Sequence, residues 1–346
     1  MIKKLTKEDK IKNFDPTAMA FEGRNIFGLP FTTEESEIVI IPVPWEVTVS
    51  YRKGTASAPT LVSEASDQVD LYNPLIKDFW KKGISLEPIS KTLLKKNKEL
   101  RVKAERHLAN IVLGEKAKKN IKLEKELAEI NKESEKLNLW LKNEVIKFSK
   151  LGKKVAVLGG EHGAMLGAFQ AHAEINGDFG ILQIDAHHDL RDSFEGFTYS
   201  HASIMHNALK IKELKKLVAV GIRDYGEGEV DVVKNSAGRV EAFYMKDMAG
   251  EMSNGATWDN LCKKIIKNLP EKVYISFDID GLDPKNCPNT GTPVPDGLGY
   301  EQAVYLIEQL AKSGKKIIGF DLNEVGKGEW DANVGARLLY RLASFL

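Results

Sequence analysis

Asp185, His187 and Asp189 occupy alternate positions in Gln183-Ile184-Asp185-Ala186-His187-His188-Asp189-Leu190-Arg191, directly after an apolar run. With the backbone extended, these three side chains project to one side and His188 to the other. Two carboxylates and an imidazole facing one point, with no cysteine nearby, make a donor set for a hard or borderline divalent cation such as manganese, nickel or zinc. Taken alone, such a triplet is equally well explained as a polar strand end making surface hydrogen bonds. A second stretch repeats the pattern. In Val273-Tyr274-Ile275-Ser276-Phe277-Asp278-Ile279-Asp280, the side chains of Ser276, Asp278 and Asp280 share one face. Unpaired carboxylates are costly to desolvate, so two of them at the end of a buried strand usually have a cation, either a basic side chain or a metal. His162 follows a third apolar run, in Gly159-Gly160-Glu161-His162-Gly163, where glycine permits a sharp turn over the sheet edge. By itself it reads more often as a satisfied loop histidine than as a ligand. Together His162, Asp185, His187, Asp189, Asp278 and Asp280 supply six ligands, too many for one tetrahedral ion. They suit two metals bridged by one carboxylate from each aspartate motif, whose joint charge lowers the pKa of a water between them.

The rest of the chain must position these groups. Its 346 residues, 42% hydrophobic, can bury a sizeable core, and 50 Lys and Arg nearly cancel 49 Asp and Glu. No net field therefore recommends nucleic acid or an anionic membrane as a partner. The first residues lack an apolar h-region and no run of 18 apolar residues occurs, so the expectation is a soluble, unexported, cytoplasmic protein. Two cysteines, Cys262 and Cys287, exclude a disulfide framework and a cysteine-built zinc site.

Residues 1–36 read as an N-terminal arm whose Phe21, Ile26, Phe27 and Phe31 pack within the subunit or across an interface. Residues 37–346 read as one α/β domain with a helical insertion at about 85–150. The run from Glu37 to Pro44 predicts a buried strand, and helical spacing follows from Thr60 to Tyr72. Residues 89–151 hold no proline and one glycine, which predicts two amphipathic helices at 95–113 and 119–150 with a solvated charged face. Further strands are expected at 154–158, 180–185, 217–221, 240–243, 272–279 and 316–321, alternating with helices. That rhythm predicts a three-layer α/β/α domain around a mainly parallel sheet, with sites beyond the carboxyl ends of the strands.

The three motifs, the last extending as Ser276-Phe277-Asp278-Ile279-Asp280-Gly281-Leu282-Asp283-Pro284, resemble in type and order the signatures of the ureohydrolase family of arginases, agmatinases and formimidoylglutamases. The resemblance covers roughly residues 37–75 and 152–346. It implies an arginase-like fold, a homo-oligomer of trimeric or hexameric form, and two divalent metal ions, manganese first and nickel next. It implies that His162, Asp185, Asp189 and Asp278 surround one metal while Asp185, His187, Asp278 and Asp280 surround the other, with Asp185 and Asp278 bridging and Asp189 counted in the catalytic set. It further implies that His201, a mobile imidazole near its ordinary pKa of about 6.5, protonates a leaving amine. Glu324 would pair with a substrate guanidinium, for which a carboxylate is the natural planar partner. Thr292 matches a substrate-contacting loop, although turn chemistry explains it equally, and Ser276 supports the ligands. Glu161 and Gly163 depart from the family's Asp and Ser, and Gly326-Lys327 with Trp330 depart from its pattern after Val325.

What the resemblance implies is hydrolysis of an amidino carbon–nitrogen bond in a small cationic guanidino substrate, releasing urea plus an amine or ammonia. Arg191 stands where arginases carry Asn, which disfavours arginine. Asp-x-Arg there resembles formimidoylglutamases acting on N-formimidoyl-L-glutamate, whereas His201 resembles agmatinase-like enzymes. The arm, the Pro42–Tyr51 stretch and the helical insertion resemble an agmatinase-like subgroup that includes nickel-dependent guanidine hydrolases, with Trp45 and Trp330 shortening the pocket. The reading from another class is a metal-binding scaffold or sensor without turnover.

Overall fold

The protein is described by a computed structural model over residues 5–20, 23–114 and 120–346. The packing expected of Phe21 lies outside the described residues.

Runs of β-branched and apolar residues form eight strands: β1 (Ile38–Val43), β2 (Ile84–Leu86), β3 (Lys154–Gly159), β4 (Phe179–Ile184), β5 (Leu214–Ile222), β6 (Val240–Tyr244), β7 (Lys272–Asp278) and β8 (Lys316–Asn323). They pair into one parallel sheet in the order β2-β1-β3-β8-β7-β4-β5-β6. Each expected strand forms. The edge strand β2 escaped detection because three residues are too short to show periodicity, and it places the start of the inserted helical region, expected at 85, inside the sheet.

Alternate residues feed two cores, one on each face of the sheet. Ile38 and Ile40 of β1 point to the first, and Val39, Ile41 and Val43 to the second. The first face is covered by α2 (Ala58–Ser66), α8 (Met245–Ser253), α9 (Trp258–Lys267), α10 (Tyr300–Lys312) and α11 (Glu329–Ser344). The arm joins them after a short helix α1 (Lys7–Asn13): Phe27 meets Tyr340 edge-on at 5.0 Å and Phe31 stacks on Trp80, both contacts within the subunit. The second face is covered by α3 (Lys91–Val112), α4 (Ile121–Lys150), α5 (Leu166–Asn176), α6 (Ile204–Ala208) and α7 (Glu227–Asn235).

The two long helices are thus part of a layer. Ser90 caps α3 and Asn120 caps α4, each side-chain oxygen accepting an N–H of the first turn. Their apolar stripe, including Leu100, Ala104, Ile130, Leu137, Leu141 and Val145, is buried in the second core. Burying each of the Leu, Ile and Val side chains stabilises the fold by roughly 1.5–3 kcal/mol. No helix among the described residues is long and apolar enough to cross a membrane.

Candidate active site

The carboxyl ends of the four central strands, β3, β8, β7 and β4, deliver the polar residues. β4 stops at Ile184, so Asp185 to Asp189 converge through a loop and not through the pleat expected of an extended backbone. Asp185 Oδ1 accepts the N–H of His187 at 2.7 Å, and its Oδ2 accepts Gln183 Nε2 at 2.9 Å. Asp189 takes a left-handed φ of 55°, and its carbonyl accepts the N–H groups of Met205 and His206 at the start of α6. His188 turns away, as expected, and packs between Tyr225 and Tyr244. β7 ends on Asp278, whose Oδ1 accepts the N–H of Asp280 and so opens a 3-10 turn over Ile279–Gly281. Asp280 Oδ1 accepts the N–H of Ala186 at 3.0 Å, tying the two aspartate motifs together.

His162 opens a 3-10 turn after β3 and is fully buried. Its Nε2 lies 2.8 Å from Ser276 Oγ, and the Ser276 hydroxyl donates to Asp321 Oδ1 at 3.0 Å. Burial pushes Asp321 up to about 6, which leaves it ionised and acceptor-only at neutral pH. Ser276 therefore accepts from His162 Nε2–H, and Nδ1 is the nitrogen turned toward the carboxylates. That atom sits 3.0 Å from Asp189 Oδ2, 3.1 Å from Asp185 Oδ2 and 3.6 Å from Asp278 Oδ2, yet it makes no hydrogen bond. His187 Nδ1 lies 3.1 Å from Asp280 Oδ2 and 3.6 Å from Asp185 Oδ1.

Among the described residues two groups of ligand atoms emerge, each drawn within 4.8 Å: His162, Asp185 and Asp278, and Asp185, His187 and Asp280. Asp185 belongs to both. The electrostatics show what the cluster lacks. Burial, then the charge of Asp185, pushes Asp189 up to about 7. Burial, then Asp280 and Asp185, pushes Asp278 well above the usual carboxylate range. Burial opposes charge on His162 and His187, but the surrounding carboxylates outweigh it and hold both imidazoles well above their ordinary value. Packed carboxylates around two imidazoles that stay protonated without a cation, with oxygen and nitrogen donors and no sulfur, fit a hard or borderline divalent cation that would take the place of those protons.

The expected residues meet in one cavity of about 200 Å³. His187, Asp189, Arg191, His201, Asp278, Asp280, Thr292 and Glu324 line it, while His162 and Asp185 are fully buried beside it. Glu324 follows β8 with a left-handed φ of 60°, and its Oε1 accepts the N–H of His162 at 2.8 Å. Burial pushes its carboxyl well above the usual range, a cost that a guanidinium in the cavity would relieve. Thr292 Oγ1 donates to Asp280 Oδ2 at 3.4 Å. Arg191 lies at the mouth, its guanidinium 4.8 Å over the Phe194 ring and its Nε 3.7 Å from Glu229 Oε2. His201 departs from its ordinary value: burial, then the positive neighbours His187 and His162, pushes it down to about 4, so it is neutral at pH 7.

Two expectations about the walls fail. Trp45 is buried in the second core and Trp330 is exposed, its Nε1 donating to Lys285 O, so neither reaches the cavity. Phe194 and Tyr225 stand at the mouth instead. The motif departures have a packing cause. A Cβ on Gly163 would lie 2.6 Å from the Ser200 carbonyl carbon, and one on Gly326 would lie 2.1 Å from Asn289 O, so both glycines admit neighbouring loops of the site.

Apart from Glu161, which stands in the first motif, the other supporting residues had no motif to reveal them. Glu161 Oε2 accepts both the N–H and the hydroxyl of Thr48, at 2.9 and 2.7 Å. From α3, Asn97 Oδ1 accepts the N–H of Glu46 and Arg101 Nη1 donates to the carbonyls of Val47 and Val49. From α4, Asn131 bonds Gly196 O and Thr198 N, and His107 of α3 meets Glu195 O at 2.8 Å. The long helices thus hold the two loops that flank His201. Their one sequence signal was polar residues at inward-facing helical positions, submerged in a charged run.

The arginase family model matches residues 36–343. A Thermus thermophilus protein known as N(1)-aminopropylagmatine ureohydrolase is 31% identical over 320 residues, covering 92% of this chain and 93% of the relative. Its namesake from Synechocystis is 27% identical over 315 residues, covering 90% and 89%. The crystal structure of the agmatine ureohydrolase of Thermoplasma volcanium superposes with a TM-score of 0.70 over 94% of each chain at 23% identity, a likeness of fold.

Proposed function

The chain belongs to the arginase family, and from that premise we propose that it is a metal-dependent hydrolase that cleaves a carbon–nitrogen bond of a small guanidino compound and releases urea. The observation that carries this reading is the pair of ligand groups sharing Asp185, beside a cavity whose other carboxylate is Glu324. His162, Asp185, Asp189 and Asp278 would hold one divalent cation, and Asp185, His187, Asp278 and Asp280 the other, with manganese or nickel as the ions. When bound, such cations supply a water acidic enough to act as a nucleophile near neutral pH.

The chain's own residues do the rest. Glu324 accepts the planar guanidinium and sets its carbon over the carboxylate cluster. His201, neutral at pH 7, takes up the proton shed during attack and returns it to the departing nitrogen, so that urea and an amine, or ammonia, leave. Burial of His162 and Asp185 keeps bulk water from competing for the ligands.

The cavity lies below the roughly 300 Å³ at which drug-sized pockets begin, which favours guanidine or the guanidino head of a longer molecule whose tail leaves through the mouth. Exposed Asp224 and Tyr225 at that mouth match the cationic tail of agmatine or of the aminopropylagmatine in the relatives' name. A second reading, N-formimidoyl-L-glutamate as substrate, is favoured by Arg191 at the same mouth. A homo-oligomer belongs to the proposal and is checked by light scattering. The deciding experiment is a product screen with manganese- and nickel-loaded protein over guanidine, agmatine, N(1)-aminopropylagmatine, guanidinobutyrate and arginine, reading urea, and over N-formimidoylglutamate, reading formamide. Urea from at least one short guanidino compound is expected; no product from any of the six sinks the reading.

A further inference from the structure

We propose that Thr48 is a positioning residue that fixes both the orientation and the tautomer of His201; the inference rests on the reading of His201 as the proton-transferring group. Thr48 is buried in the loop between β1 and α2, 153 residues from His201 in sequence and 113 from Glu161. Its hydroxyl proton is committed. Glu161 Oε2 receives the Thr48 O–H at 2.7 Å and the Thr48 N–H at 2.9 Å; burial pushes this carboxyl up to about 7, but a backbone N–H can only donate, so a proton taken up by Glu161 belongs on Oε1 and Oε2 stays an acceptor.

The lone pairs of Oγ1 are what remain, and both meet one residue. One accepts the backbone N–H of His201 at 3.2 Å, and the other faces His201 Nδ1 at 3.5 Å. An oxygen whose proton is spent can meet a ring nitrogen only as an acceptor. Nδ1 therefore carries the ring proton, and Nε2 keeps the lone pair for the cavity that His201 lines. The competing group is Ser200, whose Oγ lies 3.4 Å from Nδ1 while accepting the N–H of Ala202 at 3.3 Å. If Ser200 governed the ring by donating to it, Nδ1 would be bare and the tautomer would invert.

Thr48 can impose this geometry because its own loop does not yield. The carbonyls on either side of it, Val47 O and Val49 O, both accept from Arg101 Nη1, at 3.0 and 2.5 Å, and the N–H of Glu46 is held by Asn97 at 2.7 Å. Helix α3 thus anchors the loop, the loop anchors the hydroxyl, and the hydroxyl orients the imidazole. Phe194 limits the ring from its edge at 5.9 Å.

Two measurements on the full chain test this. Two-bond 15N–1H correlation of histidine-labelled, zinc-loaded protein, with His201→Asn for assignment, reads the tautomer directly and needs neither turnover nor a Thr48 variant. Nδ1–H in the wild type is expected, lost or mixed in Thr48→Val and retained in Thr48→Ser. Nε2–H in the wild type, or an unchanged tautomer in Thr48→Val, overturns the proposal. The kinetic arm expects kcat to fall about tenfold or more in Thr48→Val with KM within about twofold, and Thr48→Ser to recover most of the loss. Wild-type kcat in Thr48→Val, or a change confined to KM, overturns it as well. Protein that releases no product from any substrate fails the functional reading, and the spectra still decide the role of Thr48.

Discussion

Ser276 Oγ lies 2.8 Å from Nε2 of His162 and, because its own proton goes to Asp321, turns the other ring nitrogen toward the carboxylates as the atom that would hold a cation. Groups that orient a ligand imidazole in this way typically control metal affinity by about 10- to 100-fold. Ser276→Ala should therefore lower manganese affinity by roughly that factor, read by chelator competition, with an unchanged circular dichroism spectrum. Undiminished affinity would mean that His162 needs no such support.

Asp185 belongs to both of the groups that could hold a cation, whereas Asp280 belongs to one. Metal analysis after dialysis should find about two ions per wild-type chain, neither retained in Asp185→Asn and one retained in Asp280→Asn. Equal losses in the two variants, or one ion in the wild type, would contradict a centre built on a shared aspartate.

Without a cation the cluster makes stability depend on pH with a definite sign. His162, His187, Asp278 and Glu324 all have folded values raised above their ordinary ones, so the folded protein binds more protons than the unfolded chain and loses that advantage as pH rises through the folded values. His201 and His172, pushed down to about 4, act in the opposite direction, but only below about pH 6.5. Calorimetry of chelator-treated protein should thus show Tm falling from about pH 6.5 to 8.5. Metal-loaded protein should show the trend weakened or reversed, because bound cations demand deprotonated ligands. A rising Tm in the metal-free form over that interval would refute the assignment.

Gly163 touches the turn that presents His201. A Cβ there would lie 2.6 Å from the Ser200 carbonyl carbon and 2.7 Å from the His201 nitrogen, both backbone atoms that move only together. Gly163→Ser should cost about 1–3 kcal/mol of stability and lower kcat while metal content holds. A variant with full activity would show that the turn is freer than its packing implies.

The sheet and the cluster of acids and imidazoles at its carboxyl edge were legible because both depend on local pattern: apolar runs of strand length, and acids or imidazoles at their ends. Even there the reason differed from the outcome. Asp185, His187 and Asp189 were expected to converge by alternation along a strand, yet the strand stops at Ile184 and a left-handed Asp189 does part of the work. What sequence could not give was contact across distance. Thr48 meets Glu161 and His201 over 113 and 153 residues, and Arg101, read as one charge in a solvated run, is buried with its guanidinium on two carbonyls. Trp45 and Trp330 misled for the same reason, since bulk in sequence says nothing of where a side chain points. His201 was assigned its solution pKa because burial and two neighbouring imidazoles are visible only in three dimensions.

Asp189 and Glu324 both sit in left-handed backbone, at φ 55° and 60°, in a region that costs a non-glycine residue about 1 kcal/mol. Glycine at either position would relax the chain and remove an acid that lines the cavity. Selection for heat resistance alone, in a library or a lineage freed from its substrate, is therefore expected to discard these two acids early and to arrive at a hardier protein that does no chemistry.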